Sequence, residues 1–200
     1  MNAIRSALSV IALGALAACS SDAPLPVQQN VDLQKYAGTW YEQARLPNRF
    51  QKDCTGEVRA DYRLNADGTI AVTNQCRVAG GGTDMAEGLG RQSKAVEPPS
   101  TSILEVRFAP AWLSWLPLAW GDYWIMRVEG DYRYALVGTP DREYLWVLSR
   151  DKQADAETVR KLLSYAADQG FDITGVEATQ QTAEGSRPPS ARAVMVAELD

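Results

Sequence analysis

The sequence contains no histidine among its 200 residues, and this absence removes several kinds of active site at once. A Ser-His-Asp triad, a Cys-His pair, a histidine general base and a histidine-ligated zinc ion all need the imidazole ring. The three cysteines are too few for a zinc site made of four thiolates. We therefore predict a protein that is not an enzyme and that holds no metal or other cofactor.

Basic residues are also in the minority. The chain has 20 Lys and Arg residues against 25 Asp and Glu residues, which gives a net charge of −5. A nucleic-acid partner requires a basic surface, so we expect no such partner. Hydrophobic residues make up 46% of the chain, which is enough for the core of one ordinary domain.

The N-terminus has the pattern of an export signal. Ala7 to Ala18 is an apolar stretch that is too short to span a bilayer and fits the core of a signal peptide. It ends in Leu16-Ala17-Ala18-Cys19, which resembles the lipobox of bacterial lipoproteins. We therefore predict a signal peptide over residues 1–18 and a lipidated tether over residues 19–30, with the lipid on Cys19. The alternative is an ordinary signal peptide in which the cysteine occurs by chance.

The residue after Cys19 bears on the destination of the protein. It is Ser20, and resemblance to the lipoproteins of enteric bacteria implies that Ser rather than Asp at this position directs export to the outer membrane. We therefore expect a lipid-anchored protein of the outer membrane that faces the periplasm. Acyl chains contribute roughly 0.8 kcal/mol per buried methylene, so several chains make a lasting anchor.

Cys54 and Cys76 then remain as a pair in an oxidising compartment. A disulfide between them closes a loop of about 20 residues and contributes about 3 kcal/mol in the chain-entropy model. The alternative is a pair of buried free thiols.

Between residues 38 and 150 the sequence alternates between apolar and polar residues, as half-buried β-strands do. The pattern predicts eight strands, at residues 40–45, 57–64, 69–78, 85–96, 103–108, 122–129, 134–138 and 144–150. Short turns such as Asn65-Ala66-Asp67-Gly68 join them, and no crossover helix intervenes, so the sheet is expected to be antiparallel. Eight such strands close most simply into an up-and-down barrel, which leaves no free edge.

One helix is predicted after the last strand. Its apolar residues fall on one face: Val159, Leu162, Leu163 and Ala166. Asp155 is the expected N-cap and Gly170 the expected C-cap. The single apolar stripe predicts packing on the outside of the barrel, followed by a short edge strand at 171–176 and a flexible tail at 181–200. The predicted fold class is therefore all-β, an eight-stranded antiparallel up-and-down barrel with one C-terminal helix outside.

Three short motifs resemble those of lipocalins. Gly38-Thr39-Trp40-Tyr41-Glu42 opens the first strand, Gly130-Asp131-Tyr132 precedes the seventh, and Arg150 ends the eighth, in the family's order and spacing. The likeness covers about residues 31–180, which we take as the folded domain, and it is greatest with bacterial lipocalin lipoproteins of the outer membrane.

The resemblance implies structural roles for the residues of these motifs: Gly38, Trp40, Asp131, Tyr132 and Arg150. Trp40 is expected to plug the closed end of the barrel. Arg150 is expected to lie over the indole ring of Trp40, a cation–π contact of about 0.5–2 kcal/mol.

An eight-stranded barrel is just wide enough to hold one small ligand. Strand alternation counted from Trp40 and Arg150, together with the apolar pattern, sets the inward face. The predicted ligand-binding residues are Glu42, Ala60, Tyr62, Val72, Leu104, Val106, Phe108, Tyr123, Ile125, Tyr144, Trp146 and Leu148, and the same counting places Ala44 and Ile70 inside. On the sixth strand both faces are apolar, and the lipocalin pattern favours Tyr123 and Ile125 as the inward pair.

The connection between the fifth and sixth strands is unusual for a loop. Residues 109–120 contain Trp112, Trp115 and Trp120, three leucines and no charge. Hairpin counting places this loop at the barrel mouth, opposite Trp40. We expect a lid or a membrane-docking lip there, because tryptophan favours membrane interfaces. The alternatives are a loop packed over its own barrel and a contact in a homodimer.

These features predict an envelope lipoprotein that binds and stores or transports an apolar ligand. The lipocalin resemblance implies a fatty acid or lysophospholipid, whose polar head could meet Glu42, Arg127 or the tyrosines of the pocket. The alternatives are a structural or interaction lipoprotein with a filled barrel, and a carrier of another hydrophobic ligand such as haem or carotenoid.

Overall fold

The computed structural model describes residues 24–182. The predicted signal peptide, Cys19 and the predicted tail beyond residue 182 lie outside the described residues. Within residues 24–182, no helix is long and apolar enough to cross a membrane.

Eight antiparallel strands form a closed barrel, as the alternating sequence predicts. They are β1 Gly38–Arg45, β2 Cys54–Leu64, β3 Ile70–Val78, β4 Thr83–Gln92, β5 Ile103–Arg107, β6 Gly121–Glu129, β7 Tyr134–Gly138 and β8 Leu145–Ser149. Each strand pairs with the next, and β1 pairs with both β2 and β8, which closes the sheet. The predicted fold class is therefore confirmed.

The two ends of the barrel differ in their connections. The turns after β2, β4 and β6 lie at one end, which we call the closed end because a short helix, α1 Leu33–Tyr36, lies across it. The loops after β1, β3, β5 and β7 lie at the other end, the mouth. Asp32 caps α1 by accepting hydrogen bonds from the backbone amides of Gln34 and Lys35.

Trp40 and Arg150 hold the closed end together. Trp40 is fully buried, and the Arg150 guanidinium carbon lies 3.8 Å from the centre of its ring. The two terminal nitrogens of Arg150 donate hydrogen bonds to the carbonyls of Thr39 (2.8 Å), Lys35 (2.7 Å) and Ala37 (2.9 Å). Arg150 thus ties the segment that enters the barrel to the end of β8.

The other motif residues lie around this contact. Gly38 has φ of +100°, and a Cβ there would lie 3.2 Å from Nη1 of Arg150. The Tyr132 hydroxyl accepts a hydrogen bond from the Asp32 amide at 2.7 Å, and the Tyr132 carbonyl accepts one from Nε of Arg150 at 3.2 Å. Asp131 forms an exposed ion pair with Lys35 at 3.1 Å.

A second helix, α2 Ala156–Asp168, packs on the outside of the barrel. The Asp155 side chain caps its N-terminus through the Thr158 amide. The C-cap residue is Gln169 rather than Gly170, which follows it with φ of +91°. Leu162 and Ala166 pack with Leu136 and Val147 in this outer apolar layer.

The predicted edge strand at 171–176 is wrong. The Phe171 side chain is buried in the outer layer, and residues 173–175 form a 3₁₀ turn capped by Asp172. The strand comes two residues later, as β9 Glu177–Ala178, which pairs with the end of β1.

The last part of the predicted tether belongs to the folded domain. The Leu25 side chain is 4% exposed in the outer layer beside α2. The backbone amide of Gln28 donates to the carbonyl of Ile125 at 2.9 Å, and its side-chain oxygen accepts from the amide of Val128 at 3.2 Å. Residues 25–30 therefore belong to the folded domain rather than to a linker.

Candidate functional site

A narrow cavity lies inside the barrel, and only about 10 Å³ of it can hold the centre of a water molecule. It is lined by Tyr36, Tyr62, Ile70, Val72, Gly90, Leu104, Val106 and Tyr123. None of these side chains is charged. Ligand pockets for drug-sized molecules enclose roughly 300–1,000 Å³, so the lining side chains must move apart before even a slender chain can enter.

Three tyrosines supply the polar atoms of the cavity. The hydroxyl of Tyr123 lies 2.8 Å from that of Tyr36 and 3.0 Å from that of Tyr62. Burial raises the pKa of Tyr62 to about 12 and raises the pKa values of Tyr36 and Tyr123 well above the ordinary tyrosine value. All three hydroxyls are therefore protonated at neutral pH.

Five of the predicted ligand-binding residues line this cavity: Tyr62, Val72, Leu104, Val106 and Tyr123. Ile125 and Leu148 face the barrel interior but are packed into the core around Trp40, and Ala60 is buried on β2 opposite Trp40. The predicted inward face is correct for these residues, but an alternating pattern cannot distinguish the wall of a cavity from solid core.

The predicted aromatic residues nearest the mouth form a separate group. Tyr144 and Trp146 stack with ring centres 5.9 Å apart, and Phe50 lies 5.7 Å from Tyr144. Phe108 is 43% exposed and lies across β4, where a Cβ on Gly88 would come within 2.7 Å of its ring. These side chains flank the entrance rather than the inner cavity.

Glu42 faces inward as predicted, but its carboxylate already has partners. It accepts hydrogen bonds from Arg45 Nη1 at 2.9 Å, from Gln51 Nε2 at 2.6 Å and from the Thr179 hydroxyl. Gln51 in turn accepts a hydrogen bond from the Trp146 indole at 2.9 Å. With three donors engaged, Glu42 is poorly suited to receive the polar head of a ligand.

The inward placement of Ala44 is wrong. The pairing of β1 with β8 shifts by one residue between Glu42 and Ala44, so strand alternation reverses there. Ala44 packs in the outer layer with Leu136 and Val147. A bulge of this kind leaves no clear mark in the sequence.

Arg127 does not reach the cavity. Its guanidinium lies 4.2 Å from the ring centre of Tyr165 on α2, outside the barrel, and pairs with Glu129 at 3.6 Å. On the same strand Trp124 and Met126 also pack in the outer layer, whereas Tyr123 and Ile125 face inward.

The 109–120 loop lies at the mouth and keeps most of its apolar surface outside. Trp112 is 73% exposed, Trp115 74% and Leu118 98%. Trp120 differs from the other two: its ring lies 3.6 Å from the Arg91 guanidinium, and its indole donates to the Ser114 carbonyl at 2.9 Å. Trp120 thus fastens the loop to the outer wall.

A broader depression of about 200 Å³ lies where this loop meets the barrel. Its lining includes Arg91, Glu105 and Asp122, which are charged and lie outside the cavity. Arg91 donates two hydrogen bonds to Glu105, at 2.9 and 3.0 Å, so the charges of these two residues are already paired. The inner cavity is therefore the stronger candidate for an apolar ligand.

Cys54 and Cys76 are joined by a disulfide, with their Cα atoms 5.6 Å apart. The bond links the mouth ends of β2 and β3.

Two cavity residues escaped the sequence analysis. Tyr36 comes from α1, which the alternating pattern does not predict, although Asp32 as a helix cap would have been a signal. Gly90 is one of two alternate glycines on β4, a pattern that marks a close backbone approach or spare room beside a strand.

Comparison with known proteins decides the family. The sequence profile of the lipocalin-like domain matches residues 31–181. The chain belongs to the lipocalin family. Lipocalins bind small hydrophobic ligands, and the family and its fold are generally not enzymatic.

Relatives of this lipocalin come from distant organisms. Temperature-induced lipocalin-1 of Arabidopsis thaliana is 38% identical over 159 residues, which is 79% of this chain and 83% of the plant protein. Outer membrane lipoprotein Blc of Escherichia coli K12 is 34% identical over 164 residues, 78% of this chain and 85% of Blc. Insecticyanin from the tobacco hornworm Manduca sexta superposes with a TM-score of 0.61 at 18% identity, covering 80% of this chain and 86% of insecticyanin, and shows the shared fold.

Proposed function

We propose that this lipocalin is an outer-membrane lipoprotein that stores or transports a single-chain lipid, such as a fatty acid or lysophospholipid, in its barrel. The observation that carries this proposal is the lining of the inner cavity, which is uncharged and is apolar apart from three tyrosine hydroxyls. An acyl chain matches such a lining once the side chains around the narrow cavity move apart, and burying it gains about 0.8 kcal/mol per methylene. The 34% identity with Blc, an outer membrane lipoprotein, supports the location.

The binding test uses chain that cannot be acylated, made as a Cys19→Ser variant without the signal peptide. Palmitate and lysophosphatidylcholine are titrated into delipidated protein, and tryptophan fluorescence is followed. We expect saturable changes with a dissociation constant in the micromolar range or below. Trp146→Ala, at the inner edge of the mouth, should weaken binding, whereas Trp112→Ala, which is exposed, should leave the constant unchanged.

A filled barrel is the second candidate, and the small volume of the cavity favours it. In that case neither lipid changes the fluorescence of a protein whose circular dichroism spectrum shows an intact fold. The protein would then act through its surface rather than through a ligand.

We propose in addition that the mouth docks on a membrane surface. Phe50, Met85, Trp112, Trp115 and Leu118 are all large, exposed apolar side chains, and all belong to mouth loops or to the strand ends beside them. Five residues separate Cys19 from the buried Leu25, so the two are six residue steps apart and can span at most about 20 Å. A lipid on Cys19 therefore holds the barrel close enough to the bilayer for this apolar surface to touch it.

Docking is tested on unacylated protein with a Trp112→Ser, Trp115→Ser double variant that keeps Trp120 in place. We expect that the variant no longer sediments with phosphatidylglycerol–phosphatidylethanolamine vesicles and that it takes up lipid from them more slowly. Unchanged binding and transfer would remove the proposal. A change in oligomeric state instead, measured by sedimentation velocity, would assign the loop to a homodimer contact.

A further inference from the structure

The three tyrosine hydroxyls in the cavity have one proton more than they use. They contribute three O–H protons, and two hydrogen bonds join them, with Tyr123 in the middle. Each hydrogen bond uses one proton whichever oxygen donates. Because the described residues make no other hydrogen bond to these hydroxyls, one O–H group is left to donate to whatever enters the cavity.

The surroundings of this donor are apolar. Tyr36 is buried, whereas Tyr62 and Tyr123 keep part of their surface open to the cavity beside Val72 and Leu104. Arg150 is the cation behind this group, but its guanidinium faces the Trp40 ring and several backbone carbonyls. An ionised group placed here would lack a counter-charge, whereas an uncharged oxygen would need only the free O–H.

We propose that Tyr36, Tyr62 and Tyr123 form a polar subsite that donates one hydrogen bond to an uncharged oxygen at the leading end of the ligand. The ligand class is a single-chain lipid with a hydroxyl, carbonyl or ester oxygen at the end that enters first. A plain hydrocarbon end would leave the O–H group without a partner and lose the gain of that hydrogen bond. This inference depends on the proposed function only in requiring that a single-chain lipid enters the barrel.

Matched pairs of ligands test the subsite. ω-Hydroxy fatty acids of 10 to 16 carbons are compared with the unsubstituted fatty acids of equal length at pH 9, by displacement of a fluorescent probe from the Cys19→Ser protein. Both members of a pair carry the same carboxylate, so they differ only in a hydroxyl at the far end. We expect the hydroxylated chain to bind about fivefold more tightly at the best-fitting length. A purely apolar inner end predicts the opposite order, because burying an unpaired hydroxyl is costly.

The variant that removes the subsite must change all three tyrosines to phenylalanine. A single change leaves at least one unused O–H proton, because two hydroxyls joined by one hydrogen bond still hold two protons. The triple variant should reverse the order of each pair, and Tyr144→Phe, at the mouth, should preserve it.

Each result has a distinct meaning. Wild-type protein that binds the plain chain as tightly as the hydroxylated one, or more tightly, overturns the subsite and leaves lipid binding standing. A triple variant that retains the wild-type preference overturns it as well. If neither ligand displaces the probe from wild-type protein, the proposed function and this inference are both removed. If the triple variant does not fold, the order measured on wild-type protein decides alone.

Discussion

The closed end and the mouth of this barrel differ in whether their large side chains are buried or exposed. At the closed end Trp40 is fully buried, and a single arginine joins three backbone carbonyls to the indole face. At the mouth the large side chains Phe50, Trp112 and Trp115 are each more than 60% exposed. The sheet opens there too, because β1 pairs with β2 only from Gly38 to Tyr41.

The gap in the sheet is filled by the chain that follows α2. The Gln181 side chain donates to the carbonyl of Glu42 on β1 and to that of Val58 on β2, at 2.9 and 2.7 Å. Gly56 permits this approach: a Cβ there would lie 2.7 Å from the Gln180 carbonyl oxygen. The closed end is therefore held by buried packing, whereas the mouth is held by contacts from residues that follow α2 in the chain.

The largest expected effect tests this division with one tryptophan from each end. Trp40→Ala should lower the free energy of unfolding by about 3–5 kcal/mol, because it leaves a large cavity in the core. Trp112→Ala should change it by no more than about 0.5 kcal/mol, because the side chain is 73% exposed. Urea unfolding followed by far-ultraviolet circular dichroism measures both. Similar losses in the two variants would contradict the division.

The disulfide is the covalent hold on the mouth. Reducing the Cys54–Cys76 bond should cost about 3 kcal/mol, the chain-entropy value for a loop of this size. Thermal unfolding with and without reductant measures the change. A Cys54→Ala, Cys76→Ala double variant is the control, since it should unfold at the same temperature in both conditions. If reductant leaves the unfolding temperature of the wild-type protein unchanged, the mouth strands are held together without the disulfide.

A smaller loss is expected from Arg150→Lys at the closed end. A lysine ammonium cannot reach the carbonyls of Thr39, Lys35 and Ala37 together while covering the indole, so we expect a loss of about 2 kcal/mol. Arg133→Lys is the matched control. Arg133 lies at the same end in an exposed ion pair with Asp151, and exposed pairs contribute about 0–1 kcal/mol. An equal loss of unfolding free energy in the two variants would show that the several hydrogen bonds made by the Arg150 guanidinium are unimportant.

The sequence predicts the structure best in segments where the apolar residues keep one regular spacing. Alternation predicted all eight barrel strands, whereas the inward face of β6 came from the lipocalin resemblance, because Trp124 and Met126 on its other face are equally apolar. Alternation failed at Ala44, where a bulge reverses it, and at 171–176, where Phe171 packs as core. Tyr36 was missed because its place in the cavity depends on how α1 crosses the closed end, and that crossing depends on contacts distant in sequence, such as the one with Tyr123.

The smallest expected effect concerns the tyrosines, which belong to the inner end of the cavity. Burial raises the pKa of Tyr62 to about 12, so the unfolded chain loses this proton at a lower pH than the folded protein. The stabilisation is fully present below about pH 10, the ordinary tyrosine value, and is lost as the pH rises towards 12. At pH 11 the loss attributable to Tyr62 is about 1 kcal/mol.

Urea unfolding at pH 8, 10 and 11 measures this loss. The quantity compared is the change in unfolding free energy from one pH to the next, not its value at a single pH. Tyr62→Phe should lose less stability than wild-type protein between pH 10 and pH 11, whereas Tyr144→Phe, at the mouth, should follow wild type. Absorbance at 295 nm checks the same point directly, because the titration of the folded wild-type protein should lack a component near pH 10 that unfolded protein shows. A Tyr62→Phe variant with the wild-type pH dependence would mean that water reaches this hydroxyl from the mouth. The inner end of the cavity would then not share the burial of the closed end.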